Sequence, residues 1–503
     1  MGHLRLGLAT AVLASAACGS SGLNTRDGGG GADGGGGAGG NPNRWTGTIS
    51  ASINRNVDVL VMIDDSASMR NSQVNFLTNF PILLTSLQSA PQGLPNIHIA
   101  VVSQDMGAGD GTTAGCDNDA NGTIPAGDKG IFQYTSRFPG GIDCTSNSLQ
   151  QGQTFISNIG GVTNYSGNLA SVFQCIASLG ENGCGYEHQF GSVLRALGAD
   201  GRGAAPPENQ GFLRPDAYLV VMMLTDEDDC SALPNVALFD TASNQNIASQ
   251  FGPPGSFRCN EFGHLCSMGG GALAPPSRHA PNNDVNATVD YDMCTSNDSG
   301  SYLISVKQTA NALKALKADP SMVAVVAITG APTPYQVHWK NPSTADNSCG
   351  AASCPWPEVS HSCTAPDGSF ADPGVRTAQL VGEFGANGLD LSICDASFGP
   401  SFQRTGDLIN SLLGPRCLPG RIGLKASTGE PDCTVTEHDG SVSTAIPSCV
   451  DSANALPCWS LQTVSTCASG QSLAVTADPN ASTSATITYD CAKCVPTPAG
   501  DCQ

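Results

Sequence analysis

Two uninterrupted apolar runs stand out along the chain, Val59-Leu60-Val61-Met62-Ile63 and Tyr218-Leu219-Val220-Val221-Met222-Met223-Leu224. Runs without polar alternation predict strands buried on both faces, as in a parallel sheet. Further strands are expected at Ile97–Val102, Met322–Ile328 and Leu389–Ile393. Between them the apolar spacing becomes that of a helix. Val74, Leu77, Phe80, Leu84 and Leu87 define one face of a long helix, with Pro81 as a candidate kink. Leu303, Val306, Ala310, Leu313 and Leu316 repeat the pattern, as do Phe402, Leu408, Ile409 and Leu412. The alternation predicts an α/β fold, a doubly wound and mostly parallel sheet with helices on both faces, over residues 55–415. That span exceeds what such a sheet needs. The excess falls in three long irregular insertions at about 104–164, 228–299 and 330–374.

Polar residues that follow the two apolar runs carry the candidate chemistry. The first run leads into Asp64-Asp65-Ser66-Ala67-Ser68, the second into Thr225-Asp226-Glu227-Asp228-Asp229. Ligands of open α/β sheets bind outside the carboxyl ends of strands. Hard oxygens at alternate positions of a tight loop can face one point, which suits Mg²⁺. The same Asp and Ser also read as ordinary helix caps. Taken together, the two motifs resemble the von Willebrand factor type A domain, a Rossmann-like fold with a metal-ion-dependent adhesion site. The resemblance implies that Ser66 and Ser68 contact Mg²⁺ (or Mn²⁺ or Ca²⁺) directly. Asp64 and Asp226 would act mostly through bound water, and one coordination position would be left for a partner's carboxylate.

One element of the family pattern is absent. A threonine is expected before the fourth strand, where this chain reads Gly183-Cys184-Gly185-Tyr186-Glu187-His188-Gln189-Phe190. Glu187 is the best-placed oxygen donor there, with Gln189 behind it. It is either an added metal ligand or an acid in the first turn of a helix, favoured by the dipole. His188 reads as a surface or packing histidine. The insertions leave the carboxyl ends of strands, so they are expected to form a disulfide-braced rim around the metal. The rim then sets partner specificity, or one of its carboxylates caps the ion and makes the metal structural. A Gly-rich loop with Asp105, Asp110, Asp117 and Asp119 offers a separate Ca²⁺ site, or solvated turns, since it lacks EF-hand spacing.

Charge and cysteine content narrow the setting. A net charge of −21 excludes the basic footprint that nucleic-acid binding needs. The start, residues 1–18, has His3 and Arg5 before an apolar stretch and ends at Cys18. It resembles a lipoprotein signal, although the large aliphatic is Leu13 rather than position 15; plain signal cleavage is the alternative. Residues 19–54 are expected to be a Gly-rich flexible linker. Of 21 Cys, Cys18 would be lipidated, twelve lie between 116 and 394, and eight between 417 and 502. Each group is even, and such density belongs in an oxidising compartment. Proximity suggests Cys175 with Cys184, and Cys491 with Cys494. Residues 416–503 are expected to be a Cys-rich β module, with runs at 472–476 and 485–489 around an Asp478-Pro479-Asn480 turn.

These readings converge on an exported lipoprotein of the outer membrane or cell surface, alternatively secreted or periplasmic, monomeric and not an enzyme. It would bind an unidentified protein or glycan ligand, through an acidic group of the ligand, by way of its divalent cation. The alternative is a structural envelope protein with a self-capped metal. A metal-dependent hydrolase is the third reading, but Asp-x-Asp after the first strand, Gly-x-Ser-x-Gly and His-Glu-x-x-His are all missing.

Overall fold

A computed structural model describes residues 43–50, 54–89, 93–107, 127–138, 143–233, 236–239, 247–252, 255–284, 286–340, 356–414, 418–463, 469–476, 486–495 and 502. Its largest sheet contains β1 (Asn56–Ile63), β2 (Asn96–Ser103), β3 (Ile156–Ile159), β4 (Val162–Thr163), β5 (Tyr218–Leu224), β6 (Val323–Thr329) and β7 (Gly388–Ser392). The order across the sheet is β7-β6-β5-β1-β2-β3-β4. Pairings from β7 through β2 are parallel, and β3 and β4 add an antiparallel hairpin at the edge. Every residue of β5 and β6 is buried, because both faces of these strands are apolar and both are covered. Val57, Val59, Val61 and Ile63 of β1 point into one core, Leu60 and Met62 into the other.

Helices α1 (Arg70–Gln88) and α2 (Leu169–Ile176) cover the first of these faces, and α3 (Gln189–Ala196) the second. Helix α4 (Phe257–Gly263) belongs to the segment after β5. Then α5 (Val306–Lys314) and α6 (Val375–Gly382) join α3, while α7 (Gly399–Leu413) joins α1 and α2. Phe76 and Phe80 of α1 pack against Phe173 of α2 and Phe402 of α7. The buried stripe of α1 is Phe76, Leu77, Phe80, Leu83, Leu84 and Leu87, and the helix continues through Pro81. Val74, expected on that face, lies at its edge and is 50% exposed.

The insertions are more ordered than their composition suggests. The first supplies the β3–β4 hairpin. Strands Thr288–Tyr291, Tyr335–Lys340 and Trp356–Val359 form a small sheet that joins the second insertion to the third. Tyr335, Val337 and Trp339 alternate inward there, and His264–Ser267 pairs with Met293–Ser296 beside it. Disulfides Cys230–Cys259 and Cys266–Cys294 brace the second insertion, and Cys363–Cys394 ties the third to the chain beyond β7.

Proximity in sequence misassigned two cysteine pairs. Cys175 of α2 bonds Cys144, across a Cα separation of 5.7 Å. Cys491 stands opposite Cys433 in the strand register and bonds it, and Cys494 bonds Cys502. For Cys433–Cys491 the partner is the neighbour across the strands rather than the one nearest along the chain. The described disulfides stay within the two expected groups, and their number marks an oxidising, extracytoplasmic setting.

The carboxy-terminal region also departs from expectation. Gln471–Thr476 pairs with Cys458–Thr463, whereas Thr486–Ala492 pairs with Cys433–Asp439, so the two β-like runs are not partners. The sheet of Thr486–Ala492 and Cys433–Asp439 also holds Val442–Ile446 and, as its fourth strand, Arg44–Ser50, which falls inside the stretch read as linker. Its Trp45 lies under the Lys493 ammonium, 4.3 Å from the ring centre. Gly47 approaches Tyr489 so closely that a Cβ would come 2.5 Å from the phenol oxygen. Residues 44–50 are therefore a strand and not linker. The signal segment, Cys18, residues 19–42 and the turn at 478–480 lie outside the described residues. Among those described, no helix is long and apolar enough to cross a membrane.

Candidate metal centre

From β1 the chain proceeds to β2 on one side of the sheet, and from β5 to β6 on the other. Where the order reverses, the two connections part and leave a crevice at the carboxyl ends of β1 and β5. Asp64 and Asp226 lie there. The Asp64 N–H donates to Leu224 O at 2.9 Å, and the Thr225 N–H to Ile328 O at 3.2 Å. Both bonds extend the sheet's ladders past the strand ends, tying the Asp64 loop to β5 and the Thr225 loop to β6.

Asp64 is fully buried. Its Oδ1 accepts from the Ser66 N–H at 2.8 Å and its Oδ2 from the Thr225 hydroxyl at 2.8 Å. The Ser66 and Ser68 hydroxyls are 3.4 Å apart. Gln73 of α1 donates to Asp64 O and Gly180 O, clamping the loop from behind. The helix-cap reading fails for this loop: α1 begins after Met69, and no side chain caps it.

The segment at 183–189 closes the crevice from a second side. The Gly183 N–H donates to Asp65 O at 2.7 Å, and a Cβ on Gly183 would come 2.3 Å from Asp65 Oδ1, so only glycine fits. Glu187 is buried and precedes α3, whose flanking residue is His188; it is not a first-turn acid. Gln189 spends its amide on the Thr225 hydroxyl (2.9 Å) and Glu227 O (3.2 Å), and thus positions the Thr-Asp pair. His188 is buried edge-on against Phe239, a packing histidine whose pKa burial pushes down to about 4.

Three buried carboxylate oxygens here have no hydrogen-bond partner: Asp226 Oδ1, Glu187 Oε1 and Asp65 Oδ1, the last on a carboxylate whose other oxygen faces Arg137. Burial, with the charge of Asp64, pushes the Asp226 carboxyl up to about 8. Burial raises Asp64 as well. Glu187 and Glu227 are pushed well above the usual range by burial and by the neighbouring acids. Asp372, from the third insertion, donates its N–H to Asp226 O at 2.8 Å while its carboxylate accepts from His361 at 2.8 Å. Glu227 could have been read from its place beside Asp226. Asp372 carries no local signal at all.

The remaining acids of the 226–229 run do other work. Asp228 accepts from the backbone N–H groups of Arg376 and Thr377 and pairs with His264, anchoring the start of α6. Asp229 pairs with the Arg376 guanidinium at 3.0 Å. Asp105 is buried, which pushes its pKa up to about 6, and it accepts from the Gly107 N–H. Asp110, Asp117 and Asp119 lie outside the described residues.

Among the described residues, no group of three or more His, Cys, Asp or Glu side chains is arranged to hold a metal. The candidate set, the hydroxyls of Ser66 and Ser68 with Asp64, Asp226 and Glu187, is therefore not drawn together as a finished ligand group in this structure. Hydroxyls and carboxylates, with the orphaned Asp226 Oδ1 and Glu187 Oε1 among them, are the donor types that suit a hard divalent cation.

No protein-family model matches the chain, and no curated protein matches it. Among solved structures, it is similar to the pilus adhesin RrgA of Streptococcus pneumoniae, with a TM-score of 0.26 and 11% identity over 89% of this chain and 57% of that one. It is also similar to three N-terminal domains of the type V pili tip protein Mfa5 of Porphyromonas gingivalis, with a TM-score of 0.25 and 12% identity over 90% of this chain and 65% of that one. The chain thus spans about three fifths of the length of each. TM-scores of this size do not define a common fold, and the site is read from its own geometry.

Proposed function

We propose that this chain is an exported binding protein of von Willebrand factor A type, which recognises a partner through a divalent cation at the carboxyl ends of β1 and β5. The observation that carries the reading is electrostatic. Asp64, Asp226, Glu187 and Glu227 are buried within range of one another's charge, and among the described residues no Lys or Arg pairs with any of them. Buried acids without a counter-charge are costly. A cation supplies the missing charge. Ser66, Ser68, Asp64 and Asp226 would hold it, with Glu187 adding a carboxylate, and an acidic partner would complete it. The strand order, with its reversal between β1 and β5 and its antiparallel edge, supports the doubly wound reading. The disulfides support export, and a lipid on Cys18 would tether the chain.

One observation favours a second reading. Asp372 reaches the site from an insertion, and could cap the ion itself and make the metal structural. The hydrolase reading is weakened, because Asp228 and Asp229 are committed to α6 and Arg376.

Water-proton relaxation of the Mn²⁺-loaded protein distinguishes these readings. Titration with acetate should lower the relaxation enhancement saturably as a carboxylate displaces metal-bound water. An enhancement that acetate leaves unchanged in the wild type but lowers in Asp372→Asn would establish the capped, structural metal.

A further inference from the structure

Beside the candidate metal loop lies a recess of about 100 Å³ between α1 and the hairpin formed by Cys363–Thr364 and Phe370–Ala371. One wall is the first turns of α1, with Asn71, Ser72 and Asn75. The other holds Asp367 and Ser369 from the hairpin and Asp395 from beyond β7. Disulfide Cys363–Cys394 links the hairpin to the Asp395 segment, so that wall is covalently braced. A buried water needs roughly 10–15 Å³ of such space, so the recess holds several. We propose that it is a saccharide-binding site, specific for a neutral sugar.

The argument rests on which polar groups are already committed. Asn75 is committed: its amide donates to Asp395 O at 3.3 Å and accepts from the Phe398 N–H at 3.1 Å and from Asn79 at 2.8 Å. Asp367 commits one oxygen, Oδ1, to the N–H and hydroxyl of Ser369. The side chains of Asn71, Ser72 and Asp395 make no hydrogen bond to any described residue. An amide, a hydroxyl and two carboxylate edges are therefore available around one space.

Among the described residues, no Lys, Arg or His lines it. Two carboxylates without a cation repel an anionic ligand, and their acceptor oxygens require donors. Vicinal hydroxyls on a pyranose ring both donate and accept, which matches carboxylate edges beside an amide and a hydroxyl. The buried Ile393 and Ala365 offer apolar surface for the C–H face of the ring. An apolar ligand would leave the acceptors unpaired.

The test uses the full, oxidised chain and the methyl glycosides of glucose, galactose, mannose and N-acetylglucosamine. Binding is detected by saturation-transfer NMR and measured by calorimetry, once in EDTA and once in Mg²⁺. At least one glycoside should bind in both buffers, with a dissociation constant on the order of millimolar. Asn71→Ala and Asp395→Ala should each weaken it roughly tenfold or more. Both residues are exposed, so the variants keep the fold, which their melting curves check. Binding retained in EDTA separates this site from the cation reading, which can fail independently. No binding of any of the four glycosides by the folded chain would overturn the proposal, as would binding that neither substitution weakens. Ca²⁺ binding abolished by Asp395→Ala, without glycoside binding, would overturn it in favour of a cation site.

Discussion

Strand β1 begins and ends beside a buried acid, and the two acids are treated differently. Asp58, near its start, accepts from the Arg214 N–H at 2.7 Å and the Arg214 Nε at 2.8 Å, with Lys317 Nζ at 3.7 Å and His98 at 3.6 Å. Burial pushes its pKa up, and Arg214 and Lys317 oppose the shift. Asp64, just past the other end, is equally buried but receives only a backbone N–H and a hydroxyl. The neighbours that raise Asp226, Glu187 and Glu227 are other acids. The fold therefore neutralises a buried acid where the role is structural. At the carboxyl ends, Asp65, Asp228 and Asp229 have cationic partners in Arg137, His264 and Arg376, whereas among the described residues no Lys or Arg pairs with Asp64, Asp226, Glu187 or Glu227, and the proposed cation site rests on that difference.

The comparison breaks most visibly at Asp58. Arg214→Ala should cost about 3–5 kcal/mol in urea unfolding of the oxidised protein, because it strands a buried charge. A loss below about 1 kcal/mol would show that Asp58 does not need its partner, and the contrast would lose its meaning. The opposite sign is expected at the other end. In EDTA, Asp226→Asn should stabilise the chain by roughly 1–2 kcal/mol, while in Mg²⁺ the wild type should regain the lead.

A pH series sharpens the same point. The folded-state pKa of Asp226 is pushed up to about 8, from an ordinary 3.8. Between these values the folded chain keeps a proton that the unfolded chain has lost. Stability in EDTA should therefore fall as pH rises through that window. Melting temperatures should show this decline, and Asp226→Asn should flatten it. Mg²⁺ competes with the proton, so its stabilisation should grow over the same range. The smallest effect is expected from Glu187→Gln, which should weaken cation binding by roughly tenfold in calorimetry. Unchanged affinity would make Glu187 a buried acid and no ligand.

Much of the sheet was legible because its strands are apolar on both faces, as in Val59–Ile63 and Tyr218–Leu224. Strand β3, Ile156-Ser157-Asn158-Ile159, next to the edge, was not, since its polar residues resemble a loop. Arg44–Ser50 did carry a period-two pattern in Trp45, Gly47 and Ile49, masked by the glycine-rich stretch before it. In the site, Asp64, Ser66, Ser68 and Asp226 could be read from two short motifs, and Glu187 from the position where a threonine was missing. Asp372 and the Cys144–Cys175 bond could not, because they depend on how distant loops return to one place.

The most direct test is calorimetric titration of Mg²⁺ and Mn²⁺ into the oxidised chain, begun at residue 43 so that strand Arg44–Ser50 is kept. Asp64→Ala and Ser66→Ala are run beside it. The account predicts one saturable site in the wild type that both substitutions abolish. A folded wild type that binds neither ion, or binding that survives both substitutions, would contradict it.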